Sequence, residues 1–305
     1  MPERLDAVIA GVNKAGTTSL FVSLSAHPDV APSAIKETGY FLPPRWGEPL
    51  EPFSAYQELF RDAGTRPVHL EATPNYFYGG GAVAQEIATR LVDPHVVVVL
   101  REPVQRAVSF FKYQKVRLRF PADLPIDGYL AEADRFGPDD FRTPEHERYM
   151  AFQGGCYADH LPDWLDAFGP RLRIVWFEDL VGAPEATLAS VAAFLRLDPA
   201  RLPSEDLSSE NRTTGFRSAQ LQRLALGGND RLERVLRRHP STKRRLRALY
   251  YRVNGRAPDE VIPEHVLDDL AARYAEPNRR LAGQLDAAGL DRPSWLDDVR
   301  PAERA

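Results

Sequence analysis

The chain has 305 residues, 43% of them hydrophobic and 27% charged, which is the profile of a water-soluble globular protein large enough to bury a core without a disulfide or metal staple. Its single cysteine, Cys156, excludes an internal disulfide framework and a multi-thiolate zinc site, and the net charge of −4 argues against a wholly basic nucleic-acid binder. The apolar run Ala7–Val12 meets Asn13 and Lys14 at once, and no stretch of about 20 apolar residues follows, so neither a secretory leader nor a membrane span is expected and the cytoplasm is the expected compartment.

In chain order, Leu5–Gly11 reads as a buried strand and Thr17–Ala26 as the helix after it. A strand is expected over Pro67–Glu71, a helix over Gly80–Leu91, and a strand over His95–Leu100, whose core is four consecutive valines. Helix Val104–Gln114 comes next. The stretch from about Val116 to Met150 breaks the rhythm with four prolines and many acids, and reads as a long excursion or lid beside an acceptor pocket. Helix Ala158–Phe168 and strand Leu172–Glu178 restore the alternation. Beyond Asp179 the pattern turns helical over Ala186–Leu195, Ser218–Leu226, Arg231–Arg252 and Pro263–Ala288. Strand–helix alternation with short connections predicts an α/β fold, a three-layer sandwich with a central parallel sheet of the P-loop type. Residues 1–305 are expected to form one domain, with 218–305 as its helical C-terminal portion.

The chemistry concentrates at the end of the first strand. Val12-Asn13-Lys14-Ala15-Gly16-Thr17-Thr18 links it to a helix, so glycine-permitted turning, converging backbone amides and the helix N-terminus suit an anion. A Walker A loop would place lysine directly after its second glycine; here Lys14 precedes Gly16 by two residues. A kinase or ATPase strand that helps hold Mg²⁺ usually ends in Asp, whereas the valine-rich strand ends in Arg101, with Ser109 eight residues on. An arginine and a serine one strand from the loop suit a second phosphate. A molecule with phosphates on both sides of its ribose, 3′-phosphoadenosine 5′-phosphosulfate, fits that pattern, and the same substitution points to chemistry without a metal.

The order of blocks along the chain resembles the sulfotransferase family, specifically the branch similar to heparan sulfate N-sulfotransferases and 3-O-sulfotransferases and their bacterial relatives. The matching blocks are Gly11–Leu20, Lys36-Glu37-Thr38-Gly39-Tyr40-Phe41, Glu71-Ala72-Thr73-Pro74-Asn75-Tyr76-Phe77 and Arg101–Phe110. Gly155-Cys156-Tyr157 with Trp164, Glu178-Asp179-Leu180, Asn211–Phe216 and the tail Tyr274…Trp295 follow in the family's order. The resemblance implies that Lys14 and the amides of Ala15, Gly16, Thr17 and Thr18 hold the 5′-phosphosulfate, while Arg101 and Ser109 hold the 3′-phosphate. It also implies a last loop, Arg212, Thr214, Gly215, Phe216 and Arg217, closing over the 3′ end. There the chain departs from relatives that carry a Lys-Gly pair: Thr214 precedes Gly215, and Arg212 or Arg217 would supply the charge.

Sulfuryl transfer is an in-line displacement in which charge gathers on the departing phosphate oxygen, so a fixed cation there lowers the barrier. Lys14 is expected in that role, with Lys36 as a second cation. Glu71 corresponds to the family's catalytic glutamate and is expected to take the acceptor's proton. His69, two residues earlier on the same side of its strand, is read as a packing or acceptor-contact residue. The expected acceptor is a hydroxyl or amine of a saccharide, glycolipid or secondary metabolite, and the product adenosine 3′,5′-bisphosphate. No metal, nucleic-acid partner or membrane span is expected, and oligomeric state is not legible. Five lysines among 39 basic residues fit the codon usage of a GC-rich bacterium. Two other readings stay open: a P-loop kinase of a small metabolite, and a non-catalytic polyanion-binding protein using the basic segment Arg231–Arg256.

Overall fold

A computed structural model describes residues 4–202 and 260–297 and the backbone of 215–216 and 255–256. Strands β1 (Leu5–Gly11), β2 (Val30–Pro32), β3 (Val68–Ala72), β4 (His95–Leu100) and β5 (Leu172–Trp176) form one sheet in the order β2-β3-β1-β4-β5. All its pairings are parallel, and Val8 lies opposite Glu71 on one side and Val96 on the other. Every residue of β1 and β4 is buried, because helices cover both faces.

The helices among the described residues are α1 (Thr17–Ser25), α2 (Phe53–Glu58), α3 (Gly80–Arg90), α4 (Pro103–Val116), α5 (Ile126–Ala133), α6 (Leu161–Phe168), α7 (Phe177–Gly182), α8 (Pro184–Phe194) and α9 (Glu264–Ala287). From β1 the chain runs through α1 toward the β2 edge; from β3 it runs through α3 back across to β4. Right-handed crossovers that reverse direction put their helices on opposite faces. Accordingly α1 packs with α8, and α3 packs with α6. The three-layer α/β sandwich is therefore the observed fold.

Three local differences from the sequence reading have physical causes. Strand β5 stops at Trp176, and Phe177 opens α7, whose first turn carries Glu178 and Asp179 where the helix dipole favours negative charge. Strand β2 escaped notice because it is three residues long and ends in Pro32, admissible because β2 is an edge. The excursion from Val116 to Met150 carries aromatic packing that the sequence reading did not include: Phe120 and Tyr129 meet with ring centroids 5.2 Å apart, and Phe120 and Tyr149 likewise. The Tyr129 hydroxyl donates to the Arg148 carbonyl at 2.9 Å. The fully buried Arg106 of α4 donates from Nη2 to the carbonyls of Met150, at 3.0 Å, and Ala151, fastening the end of the excursion.

The expected helices Ser218–Leu226 and Arg231–Arg252, and most of the basic segment Arg231–Arg256, lie outside the described residues. Helix α9 returns to the body through Tyr274, whose hydroxyl lies 2.8 Å from the Phe152 carbonyl and 3.1 Å from that of Ala151. A methyl group on Gly155 would stand 2.6 Å from that hydroxyl. Gly155→Ala therefore overpacks a closed site and should cost about 1–3 kcal/mol in denaturant unfolding. An unchanged midpoint would mean that α9 is not seated there. Among the described residues, no helix is long and apolar enough to cross a membrane.

Candidate active site

Neighbouring strands β1 and β4 send their following connections in opposite directions, and the crevice beyond their C-terminal ends is where doubly wound sheets place ligands. The loop after β1 has left-handed backbone at Lys14 (φ 71°) and Gly16 (φ 82°). A side chain at Gly16 would be strained by that φ and would stand 3.0 Å from Leu180 and 3.1 Å from Phe177. Helix α1 begins at once and has no side-chain cap, which leaves its first-turn amides directed into the crevice. Ala15 and Thr17 are buried beneath the loop, while Thr18 is exposed at its rim.

Arg101 follows β4 and donates from Nη1 to the Lys14 carbonyl at 3.1 Å, so the two expected anion-binding cations share one edge of the crevice. Its guanidinium lies 4.4 Å from the centroid of the Phe177 ring. Burial holds the Arg101 pKa below its ordinary value, and the Glu178 carboxylate opposes that shift. Glu178 is itself fixed: it accepts from the Glu102 amide at 3.0 Å and from the Trp295 indole at 3.3 Å, which gives the C-terminal tail a part in shaping this edge. Ser109 is half-buried one helical turn before Tyr113, and residues four apart share a helix face.

Tyr113 meets the lysine. The Lys14 ammonium lies 4.5 Å from the centre of its ring. Burial lowers the Lys14 pKa to about 8, Arg101 adds to the fall, and Glu37 opposes it.

Glu71 sits near the end of β3, beside the β1 strand that feeds the loop, and is completely buried. Burial raises its pKa to about 7, against hydrogen bonds from Thr38, Tyr76 and Thr73 that favour the ionised form. Thr38 comes from the segment that also carries Lys36, whose ammonium lies 3.3 Å from Glu37 and whose side chain is 11% exposed. Lys36 therefore belongs to the segment covering Glu71. His69 does not join the site: its ring stacks on Phe60 with centroids 4.9 Å apart, and its Nδ1 lies 3.7 Å from Asp6.

The excursion reaches the same crevice. Glu147 pairs with Arg45 at 2.6 Å and lies 3.3 Å from the Asn75 side-chain amide, and Asn75 accepts from Asn13 of the β1 loop. Nothing in local sequence signals this chain, because its members come from four separate segments. Thr38 and Tyr113 were missed for the same reason, although Thr38 lies inside the quoted Lys36–Phe41 block and Tyr113 lies four residues beyond Ser109.

Of the expected last loop, Arg212, Thr214 and Arg217 lie outside the described residues, and Gly215–Phe216 is seen only as backbone paired antiparallel with Gly255–Arg256. Among the described residues no cluster of three or more His, Cys, Asp or Glu side chains could hold a metal ion.

No family model matches the chain. Human heparan sulfate glucosamine 3-O-sulfotransferase 3B1 is 32% identical over 211 residues, covering 69% of this chain and 50% of that protein. Mouse bifunctional heparan sulfate N-deacetylase/N-sulfotransferase 4 is 25% identical over 210 residues, 66% of this chain and 23% of its own length. The chain thus spans about half the length of the first of these relatives. The crystal structure of a sulfotransferase from Alicyclobacillus acidocaldarius superposes with a TM-score of 0.59 at 24% identity, covering 76% of this chain and 94% of the other, a likeness of fold. With its phosphate-loop lysine and strand-end arginine on one crevice, the chain is similar over about two thirds of its length to heparan sulfate 3-O- and N-sulfotransferases and shares the fold of a solved sulfotransferase.

Proposed function

We propose that the chain is an enzyme that moves a sulfuryl group from 3′-phosphoadenosine 5′-phosphosulfate to an acceptor hydroxyl or amine. The observation that carries this reading is that the Arg101 guanidinium donates to the Lys14 carbonyl, which sets both residues on one edge of the β1–β4 crevice, with Glu71 near the end of the adjacent strand. A cationic strand end beside a phosphate loop suits a nucleotide with a second phosphate better than a metal–triphosphate. In this reading the amides of Ala15 to Thr18 and Lys14 hold the 5′ side, and Arg101 and Ser109 hold the 3′-phosphate. Gly215 and Phe216, with Arg212, Thr214 and Arg217, would close the 3′ end.

The reaction balances as a displacement at sulfur. The acceptor oxygen or nitrogen forms a bond to sulfur, and the bond from sulfur to the 5′-phosphate oxygen breaks. That oxygen keeps the electron pair beside Lys14, with Lys36 as a second cation, and the acceptor's proton passes to Glu71. The products are a sulfate ester or sulfamate and adenosine 3′,5′-bisphosphate. Glu71 is buried, so an acceptor reaches it only when a group covering Oε1 shifts. The relatives favour a saccharide acceptor, and the more similar of the two transfers to oxygen by its name. A glycolipid or a secondary metabolite presents the same hydroxyl chemistry. A bacterial, cytoplasmic setting fits the arginine-rich composition and the buried, unpaired Cys156. Residues 1–305 are taken to act as one domain.

Thermal unfolding with adenosine 3′,5′-bisphosphate tests the reading. A ligand specific for the native state at 100 times its dissociation constant stabilises by about 2.7 kcal/mol, a shift of several degrees. ATP with Mg²⁺ should give a smaller shift. Stabilisation by ATP–Mg²⁺ alone would establish the kinase reading instead.

A further inference from the structure

The two oxygens of the Glu71 carboxylate have opposite surroundings. Oε2 lies 2.5 Å from the Thr38 hydroxyl, 3.3 Å from that of Tyr76 and 3.4 Å from that of Thr73. Oε1 is equally buried and has no hydrogen-bond partner among the described residues.

The direction of each bond follows from which groups can only donate. The Gly39 amide donates to the Thr73 hydroxyl at 3.2 Å, the Tyr40 amide to that of Thr38 at 3.3 Å, and the Phe41 amide to that of Tyr76 at 3.1 Å. A backbone N–H cannot accept, so each hydroxyl has its acceptor side engaged and its own proton free to turn toward Oε2. Three consecutive amides thus polarise three hydroxyls, and all three are arrayed about one carboxylate oxygen. Thr38 is central, since its oxygen also lies 3.0 Å from the Tyr76 hydroxyl and makes the shortest bond to Glu71.

We propose that this three-hydroxyl cradle, with Thr38 as its positioning residue, reserves Oε1 of Glu71 for the acceptor's proton. A proton arriving at Oε2 would have to displace the Thr38 donor, which makes the shortest bond there, whereas one arriving at Oε1 displaces none and fills the unsatisfied position. The cradle also locks the Lys36 segment to the base, because Thr38 follows Lys36 by two residues. The inference rests on the reading of Glu71 as the general base, and it adds which atom acts and what holds it.

The test uses the full chain with ¹³C-labelled glutamate carboxyls, the Glu71 signal being assigned by its loss in Glu71→Gln. The carboxyl is titrated by NMR in wild type, Thr38→Val and Thr38→Ser, alongside pH–rate profiles of sulfuryl transfer. Thr38→Val removes a donor that favours the ionised form, so the Glu71 midpoint should rise. Activity at pH 7 should then fall about tenfold, with the acidic limb of the profile moving up in step with the Glu71 midpoint. Thr38→Ser keeps the hydroxyl and should restore both. A midpoint unchanged by the valine, or a loss that serine does not rescue, overturns the proposal. The NMR readout needs neither donor nor acceptor, so a midpoint that moves in a chain showing no sulfuryl transfer overturns the functional reading and leaves the cradle standing.

Discussion

Glu71→Gln should lower sulfuryl transfer by about 10²–10⁴-fold while leaving the affinity for adenosine 3′,5′-bisphosphate within about twofold. The side chain stays the same size, so the Thr38, Thr73 and Tyr76 hydroxyls keep an oxygen to meet, and only the ability to take a proton is lost. A stability measurement separates this from simple unfolding. The buried carboxyl of Glu71 has its pKa raised by burial from 4.5 to about 7, so between those values the folded chain holds a proton that the unfolded chain has released. A raised carboxyl pKa makes the folded state gain stability as the pH falls through 7 and stop gaining near 4.5. The wild type should therefore gain on the glutamine variant by about 1.4 kcal/mol per pH unit across that window, roughly 3 kcal/mol in all. Urea unfolding of both chains at a series of pH values reads the difference directly. A constant difference would mean that Glu71 ionises normally and is a poor base at neutral pH; lost nucleotide affinity would make it a structural carboxylate.

The parts of this site legible in sequence are those where one segment does one physical job. The apolar run through Val99 could be nothing but a strand buried on both faces, and its abrupt end at Arg101 placed a cation at the sheet's rim. The loop at Lys14 was legible because glycine and a following helix announce an anion site locally. Glu71 was legible only through resemblance, since a single acid at a strand end has several structural explanations. Thr38, Tyr113 and Trp295 were not, because each acts across a long sequence separation: Thr38 on Glu71, Tyr113 on Lys14, Trp295 on Glu178. Hydroxyls and rings have no periodic signature, and their partners are set by how strands and helices come together. The packing inside the excursion was hidden for a related reason: Phe120, Tyr129 and Tyr149 fall at irregular spacings that match neither 3.6 nor 2 and still form a packed cluster.

Lys14→Ala should lower kcat/KM by about 10³-fold or more, because in the proposed reaction the lysine serves both the bound phosphosulfate and the charge that develops on the departing phosphate oxygen. Its pKa of about 8 adds a sharper expectation. In the proposed reaction the lysine acts as a cation, present below pH 8, and Glu71 as a base, present above about pH 7. The product of the two fractions is largest between those values, so kcat/KM should trace a narrow bell with limbs near 7 and 8. Each limb has its own control. Glu71→Gln should flatten the acidic limb of whatever activity remains, and Lys14→Arg, whose charge persists at high pH, should remove the basic limb while retaining part of the rate. Bound donor places negative charge beside the lysine and favours its protonated form, so the basic limb of kcat should stand at higher pH than that of kcat/KM. Tyr113 and Arg101 enter this balance from opposite directions. The ring's face attracts the ammonium at 4.5 Å, and the guanidinium repels it, so the lysine is held in place yet kept easier to deprotonate than a free one. A basic limb that stays near 8 in Lys14→Arg would assign that titration to another group and leave Lys14 as a binding residue only.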